Sequence, residues 1–170
     1  MKRVAAILRD AGVPYALAGS LAVWARGGPD VYHDIDFVIL PDDRERVLDL
    51  MSRAGMRTEK PPPDWLYKAH DGDNLVDFIF YAPVGVTSTY IDNAEQLVVE
   101  SVRIPVMTVD DVLIMKLGAM NELYMDYAYI LQLARSTREQ INWEYIERAT
   151  KDSVFAEAFF LLAAGVGIKG

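Results

Sequence analysis

Three aspartates in two apolar segments carry the clearest chemical signal in this chain of 170 residues. Asp34 and Asp36 open the stretch His33-Asp34-Ile35-Asp36-Phe37-Val38-Ile39-Leu40. Its β-branched and aromatic residues read as a strand, and Pro41-Asp42-Asp43 stops it. Strand side chains alternate between faces, so Asp34 and Asp36 share one face while Ile35 and Phe37 take the other. Two neighbouring carboxylates in a strand bound for the core repel each other and lose hydration, a cost that a divalent cation offsets. The third aspartate, Asp77, lies in Asn74-Leu75-Val76-Asp77-Phe78-Ile79-Phe80-Tyr81, apolar on both faces and so read as a central strand. A carboxylate there needs a metal or a charged partner; a place at the sheet rim or an ion pair with an Arg is the alternative. If the two strands are neighbours, three carboxylates converge. That is enough for one or two octahedral Mg²⁺ ions, with Mn²⁺ a possible substitute.

Thirteen residues separate Gly19-Ser20 from Asp34. A strand that runs through Gly-Ser into a helix presents backbone N–H groups, a hydroxyl and a helix N-terminus, the makings of a phosphate site. Glycine, without a Cβ, lets a ligand approach the backbone closely. Alone, Gly-Ser is an ordinary turn, and alone the paired aspartates are a solvated strand end. Their order and spacing together favour chemistry.

Composition narrows the options. The hydrophobic share of 52% marks a globular chain, and its length fits one domain or two small subdomains. There is no cysteine, which excludes disulfides, thiolate metal sites and cysteine nucleophiles; His33 and His70 are the only histidines. Any metal is therefore held by oxygen. The net charge of −8 argues against broad nucleic-acid binding while leaving room for a local basic groove. Met1 to Asp10 alternates charged and apolar residues, unlike a signal peptide, and the apolar tail Val154 to Ile168 is too short for a membrane span. The expectation is a cytoplasmic protein with no membrane partner.

The elements that must position these residues follow in order. Residues 2–11 read as an amphipathic helix closed by Gly12, Tyr15 to Ala18 as a buried strand, and Leu21 to Arg26 as a short helix. Asp42 or Asp43 caps a helix over 43–54. Trp65 to Ala69 and Leu75 to Tyr81 flank the turn Asp71-Gly72-Asp73-Asn74. Val98 to Val106 adds one strand, broken at Pro105. Thr108 and Asp111 form a variant capping box, and helices near 122–135, 142–151 and 153–165 follow. This predicts an α/β unit over residues 1–107 and a helical subdomain over 108–170.

Gly19-Ser20, the spacer, Asp34-x-Asp36 and the later Asp77 in a hydrophobic strand resemble the signature of the nucleotidyltransferase superfamily with the polymerase-β-like fold. Within it the chain looks most like the minimal, AbiEii/MenT-like bacterial subgroup. The matching later segment is Ile104-Pro105-Val106, Asp110-Asp111-Val112-Leu113, Lys116-Leu117 and a helical Asp126. The resemblance covers roughly residues 14–130. It implies an α+β fold: a mixed nucleotidyltransferase sheet with flanking helices, followed by a C-terminal helical bundle. It also implies residue roles. Gly19 and Ser20 hold the terminal phosphates of an NTP; Asp34 and Asp36 bind the metal ions. Asp77 shares a metal and helps deprotonate the acceptor hydroxyl. Lys116 reaches the triphosphate and Asp126 orients it, although a lysine snorkelling along its helix and an aspartate solvating one would look the same.

The activity so implied is transfer of a nucleoside monophosphate from an NTP to a hydroxyl with release of pyrophosphate. The subgroup points to a tRNA 3′ end as acceptor and to a toxin paired with an antitoxin protein. Cationic aminoglycosides or lincosamides are the alternative acceptors, and they suit an acidic chain. A non-catalytic nucleotide-binding or protein-interaction module is a reading of another class. Members of the family often carry Arg and Thr before the first Asp, and basic residues before the helical one. This chain has Asp30, Tyr32, Tyr124 and Met125 there, so it lacks those phosphate-gripping groups.

Other features are set aside. Asp71 to Leu75 begins like a calcium loop, but the sixth residue is Val76 rather than Gly and no Glu stands at the twelfth. His33 reads as a strand-start residue. Tyr124, Tyr127, Tyr129, Trp143 and Tyr145 could stack a base, yet packing between helices explains them more simply.

Overall fold

A computed structural model describes residues 1–29, 34–62, 64–85 and 87–169. In chain order the elements are α1 (Lys2–Asp10), β1 (Tyr15–Leu17), α2 (Gly19–Trp24), β2 (Ile35–Ile39), α3 (Arg44–Arg53), β3 (Arg57–Glu59), β4 (Leu66–Asp71) and β5 (Asn74–Ile79). They continue as α4 (Thr87–Asp92), β6 (Glu95–Val99), β7 (Val102–Val106), α5 (Val109–Gly118), α6 (Tyr127–Ser136), α7 (Trp143–Ala149) and α8 (Val154–Gly165). The strands form one mixed sheet in the order β3-β4-β5-β2-β1-β7-β6. β2 and β5 are parallel, as are β1 and β7; the other pairs are antiparallel. The fold is α+β. No helix among the described residues is long and apolar enough to cross a membrane.

The alternation of β2 sets Phe37 and Ile39 on one face of the sheet and Asp36 on the other. Phe37 and Ile39 pair with Leu17 and Tyr15 on β1, and Phe37 stacks with Phe78 of β5 at 6.2 Å. On that face the Tyr15 hydroxyl donates to the Ala5 carbonyl of α1, and α1 packs on α3 beside β3 and β4. Phe37, Phe78, Leu17 and Ile39 are fully buried or nearly so. Each large apolar side chain buried in this way contributes about 1.5–3 kcal/mol. The opposite face carries Asp36 and Asp77. On that face Val38 of β2 and Ala16 of β1 are also fully buried, so the carboxylates stand beside packed core.

Several expected elements are as read. β4 and β5 join through Gly72-Asp73, with Gly72 at φ +62° and Asp71 opposite Asn74. This is the glycine-first hairpin turn that matches strand twist. The Thr108 hydroxyl accepts from the Asp111 N–H at 3.1 Å and starts α5. Others need correction. The single strand expected over 98–106 is a hairpin, β6 and β7. It turns at Glu100 and Ser101, both non-glycine residues in the left-handed region (φ 46° and 70°). Pro105 does not break β7: counting from that turn puts it at a non-hydrogen-bonding position toward β6, so the β6–β7 ladder runs through it, and its missing N–H falls on the β1 side, where Leu17 and Val106 are the recorded pair.

The helix expected over 43–54 is α3, entered through a 3-10 turn, Pro41–Asp43, and no aspartate side chain caps it. The helix expected near 21–26 begins earlier, at Gly19. The helix expected from 122 begins only at Tyr127, because Asn121 and Tyr124 exchange backbone hydrogen bonds and close a turn there. Asp30, Tyr32 and His33 lie outside the described residues.

Candidate active site

The register of three strands assembles the centre. Asp36 of β2 is the partner of Asp77 of β5, and Asp77 is the partner of Lys68 of β4. Paired residues project to the same face, so Lys68, Asp77 and Asp36 form a row across the sheet. Asp34, two residues before Asp36, is exposed at the rim of that face. β1 runs against β2, and the Ala18 N–H donates to the Asp36 carbonyl at 2.8 Å. This places the Gly19-Ser20 turn against the Asp36 side chain.

Gly19 is required there twice over. Its φ is +61°, and a Cβ at this position would overlap Asp36 Oδ2 and approach Asp36 Cγ to 2.8 Å. Ser20 is buried, and its hydroxyl accepts a hydrogen bond from the Tyr129 hydroxyl of α6. That leaves the Ser20 proton free to donate elsewhere. The Tyr129 ring also lies under Lys116, with Nζ at 4.9 Å from the ring centroid. Burial lowers the Lys116 pKa, while Asp36 and then Asp126 raise it. Asp126 is the N-cap of α6, accepting from the Tyr129 N–H at 3.1 Å. It therefore sits at the start of α6 rather than inside a helix begun near 122, yet close enough to act on the lysine.

Electrostatics mark Asp36 as the strained member. Burial first, then Asp77, raise its pKa to about 7; Lys116 opposes this, Asp34 adds to it and Lys68 opposes it. Burial also raises the Asp77 pKa, and the Lys68 hydrogen bonds lower it. Lys68 Nζ donates to both Asp77 carboxylate oxygens at 2.8 Å. Among the described residues no three His, Cys, Asp or Glu side chains are gathered into a metal-holding group. The expected convergence of Asp34, Asp36 and Asp77 is thus a shared face, with the Lys68 ammonium set against Asp77. The physical reason is repulsion: like charges close up only around a cation, and here the lysine supplies one charge. The donor set nevertheless fits a hard divalent ion, because all three side chains offer carboxylate oxygen and burial together with Asp77 outweighs the lysines at Asp36.

A stability prediction follows from Asp36. In the unfolded chain its carboxyl ionises near 3.9, and in the folded chain near 7. Between those values the folded state binds more protons, so stability falls as pH rises and the full cost is present above pH 7. In EDTA at pH 8, Asp36→Asn is expected to raise the melting temperature by several degrees, from a gain of up to ~4 kcal/mol. At pH 4 the gain vanishes. A variant that melts below wild type at pH 8 contradicts this electrostatic picture.

Beside these residues lies a cleft of about 460 Å³, lined by Gly19, Asp36, Lys116 and Tyr129 on its polar side. Trp65, Ile79, Pro83, Val112, Met115 and Ile130 make most of its apolar wall. Tyr124 and Trp65, both exposed, stand at the cleft. Two participants lack the role that the sequence reading gives them: Lys68 is not among its candidates, and Tyr129 is there only as an aromatic assigned to helix packing. Lys68 could have been found by counting back from the two-residue turn, which puts it opposite Asp77. Tyr129 reaches Ser20 across 109 positions and had no local signal. The other aromatic residues do pack: Tyr127 donates to the Phe155 carbonyl, Tyr145 to Asp111, and Trp143 stacks on Phe159.

No family model matches the chain, and no curated protein matches it in sequence. Solved structures do. ANT(2″)-Ia, in its complex with adenylyl-2″-tobramycin, superposes with a TM-score of 0.62 at 18% identity, covering 93% of each chain. The lincosamide antibiotic adenylyltransferase LnuA, lincomycin-bound, gives 0.57 at 19% identity, over 78% of this chain and 92% of that one. TM1012 of Thermotoga maritima, assigned as a nucleotidyltransferase, gives 0.51 at 13% identity over 86% and 90%. At such identities the likeness concerns the fold. With its mixed sheet and flanking helices, this chain has the nucleotidyltransferase fold.

Proposed function

We propose that the protein is a divalent-metal-dependent nucleotidyltransferase that moves a nucleoside monophosphate from an NTP to a hydroxyl of a small molecule. The observation that carries this is the pairing of Asp36 with Asp77 in adjacent strands, directly against the Gly19-Ser20 turn. Asp36 and Asp77 would hold the metal, with Asp34 at the rim. When bound, the cation neutralises the triphosphate and acidifies the acceptor hydroxyl. The Ser20 hydroxyl and the glycine backbone donate to phosphate oxygens, and Lys116 sets an ammonium against the developing negative charge. The acceptor oxygen bonds to the α-phosphorus as the bond to pyrophosphate breaks, and its proton passes to a carboxylate oxygen of Asp77. Positioning in the cleft supplies the remaining acceleration.

The acceptor reading rests on the cleft. It is small and mostly apolar-walled, and among the described residues that line it Lys116 is the one cation. A polyanion would need more positive charge, and the chain carries −8. An acceptor with an apolar body and cationic or neutral substituents fits better. The structures of ANT(2″)-Ia and LnuA hold adenylyl-2″-tobramycin and lincomycin, which supports a small-molecule acceptor. The tRNA-modifying toxin with an antitoxin partner is the second reading, supported by the order of motifs from Gly19 to Asp126.

The test uses each α-labelled NTP with Mg²⁺ and a panel of aminoglycosides, lincosamides and total tRNA. Label on a small hydroxyl compound, absent with Asp36→Ala, supports the proposal. Label on tRNA selects the toxin reading, and NTP binding without any transfer selects the non-catalytic module.

Tyr129 gives a subtler prediction. Tyr129→Phe keeps the ring beneath Lys116 and removes the hydroxyl that holds Ser20. The Kd for the magnesium–NTP complex, measured by titration calorimetry, is expected to weaken about 3–10-fold, the worth of one net hydrogen bond. Tyr129→Leu, which also removes the cation–π contact, weakens it further. An unchanged Kd for Tyr129→Phe would mean that the hydroxyl only fastens α6.

A further inference from the structure

Lys68 stands out because the reaction described above gives it no task. Its Nζ lies 2.8 Å from both oxygens of Asp77, so one ammonium engages both ends of the carboxylate. The pair is sheltered: the Lys68 side chain is 25% exposed and that of Asp77 11%. The register leaves the lysine little choice. Lys68 and Asp77 are direct partners in the β4–β5 hairpin, whose two-residue turn fixes their alignment. Asp36 completes the row on the other side of Asp77. A divalent cation that binds Asp36 and Asp77 together must therefore share the Asp77 carboxylate with the ammonium or displace it.

We infer that Lys68 is an exchangeable counter-ion: it occupies Asp77 in the nucleotide-free protein and passes to a phosphate oxygen when the metal–nucleotide complex enters. This rests on the metal–nucleotide reading of the site. A lysine suits the role. Its ammonium is a compact charge on a flexible four-carbon stem, with three donors that can be redirected from carboxylate to phosphate. A free divalent ion offers the displaced ammonium nothing in return, and placing two positive groups at one carboxylate is unfavourable. A nucleotide triphosphate brings the missing anion with it. The arrangement makes the protein a poor binder of free metal and a good binder of metal–nucleotide, so the carboxylates are not filled by idle cations.

The test is Mn²⁺ titration followed by electron paramagnetic resonance, on wild type, Lys68→Met and Lys68→Arg. Each is measured alone and with a non-hydrolysable α,β-methylene ATP. Lys68→Met is expected to bind free Mn²⁺ about tenfold or more tightly than wild type, since the competing charged hydrogen bonds are gone. It is expected to bind the Mn²⁺–nucleotide complex several-fold more weakly. Lys68→Arg restores the competitor and keeps free Mn²⁺ weak. Circular dichroism melts establish that each variant is folded, and Lys68→Gln serves if the methionine variant is not. A merely structural ion pair would show a lowered melting temperature with free-Mn²⁺ affinity unchanged, which overturns the inference. If wild type binds no Mn²⁺ even with nucleotide, the metal–nucleotide reading fails as well. Wild-type binding of Mn²⁺–nucleotide combined with an indifferent Lys68→Met variant sinks the counter-ion exchange alone.

Discussion

Asp36→Ala is expected to reduce nucleotidyl transfer by at least ~10²–10³-fold, the loss typical when one preorganised electrostatic partner of the transition state is removed. Asp36 touches every other part of the centre. It pairs in register with Asp77, lies against Gly19 and feels the charges of Lys116 and Asp34. The same change relieves the folded protein of a buried carboxylate, so lost activity is expected together with undiminished stability at neutral pH. That combination separates a catalytic role from a structural one. Pyrophosphate release and thermal melting, measured on one preparation, test it. An active variant, or an inactive one that has unfolded, contradicts the assignment.

The second large effect belongs to Gly19→Ala. A methyl group here must avoid Asp36 while the backbone holds φ at +61°. The conformational part costs about 1–2 kcal/mol. The overlap adds to it by pushing the Asp36 carboxylate or the Gly-Ser turn aside. A displacement of about 1 Å at a reacting centre costs ~10² in rate, so activity falls by that factor or more. Gly55 provides the control: its φ is +84°, but nothing lies within 4 Å of the place a Cβ would take. Gly55→Ala should lose a comparable amount of stability and keep its turnover. Equal activity loss in both variants would mean that backbone strain, rather than contact with Asp36, explains the glycine.

How much of this could be read from the chain depends on how local each cause is. The strands bearing Asp36 and Asp77 announce themselves through β-branched and aromatic residues. The β4–β5 turn follows from Gly72-Asp73, and the start of α5 from Thr108. In each case a few consecutive residues fix the backbone. The β6–β7 hairpin stayed hidden because Glu100 and Ser101 take a left-handed conformation that sequence rules reserve for Gly, Asn and Asp. Leu123-Tyr124-Met125 resembles the start of a helix, yet all three are exposed on a loop, and Asp126 caps the helix that follows. At the site, the paired aspartates and the Gly-Ser turn were legible as types and spacing. Their partners were not. Lys68 depends on strand register and Tyr129 on a tertiary contact that joins α6 to α2, and neither carries a compositional mark.

The reading depends on a divalent cation and a nucleotide meeting between β2 and β5. A crystal structure with Mn²⁺ and α,β-methylene ATP, with data collected at the manganese edge, is the most direct measurement of that. An anomalous peak bonded to carboxylate oxygens of Asp36 and Asp77, with the phosphates against Gly19 and Ser20, is the predicted result. Manganese elsewhere, or a nucleotide whose phosphates lie away from that turn, would contradict it.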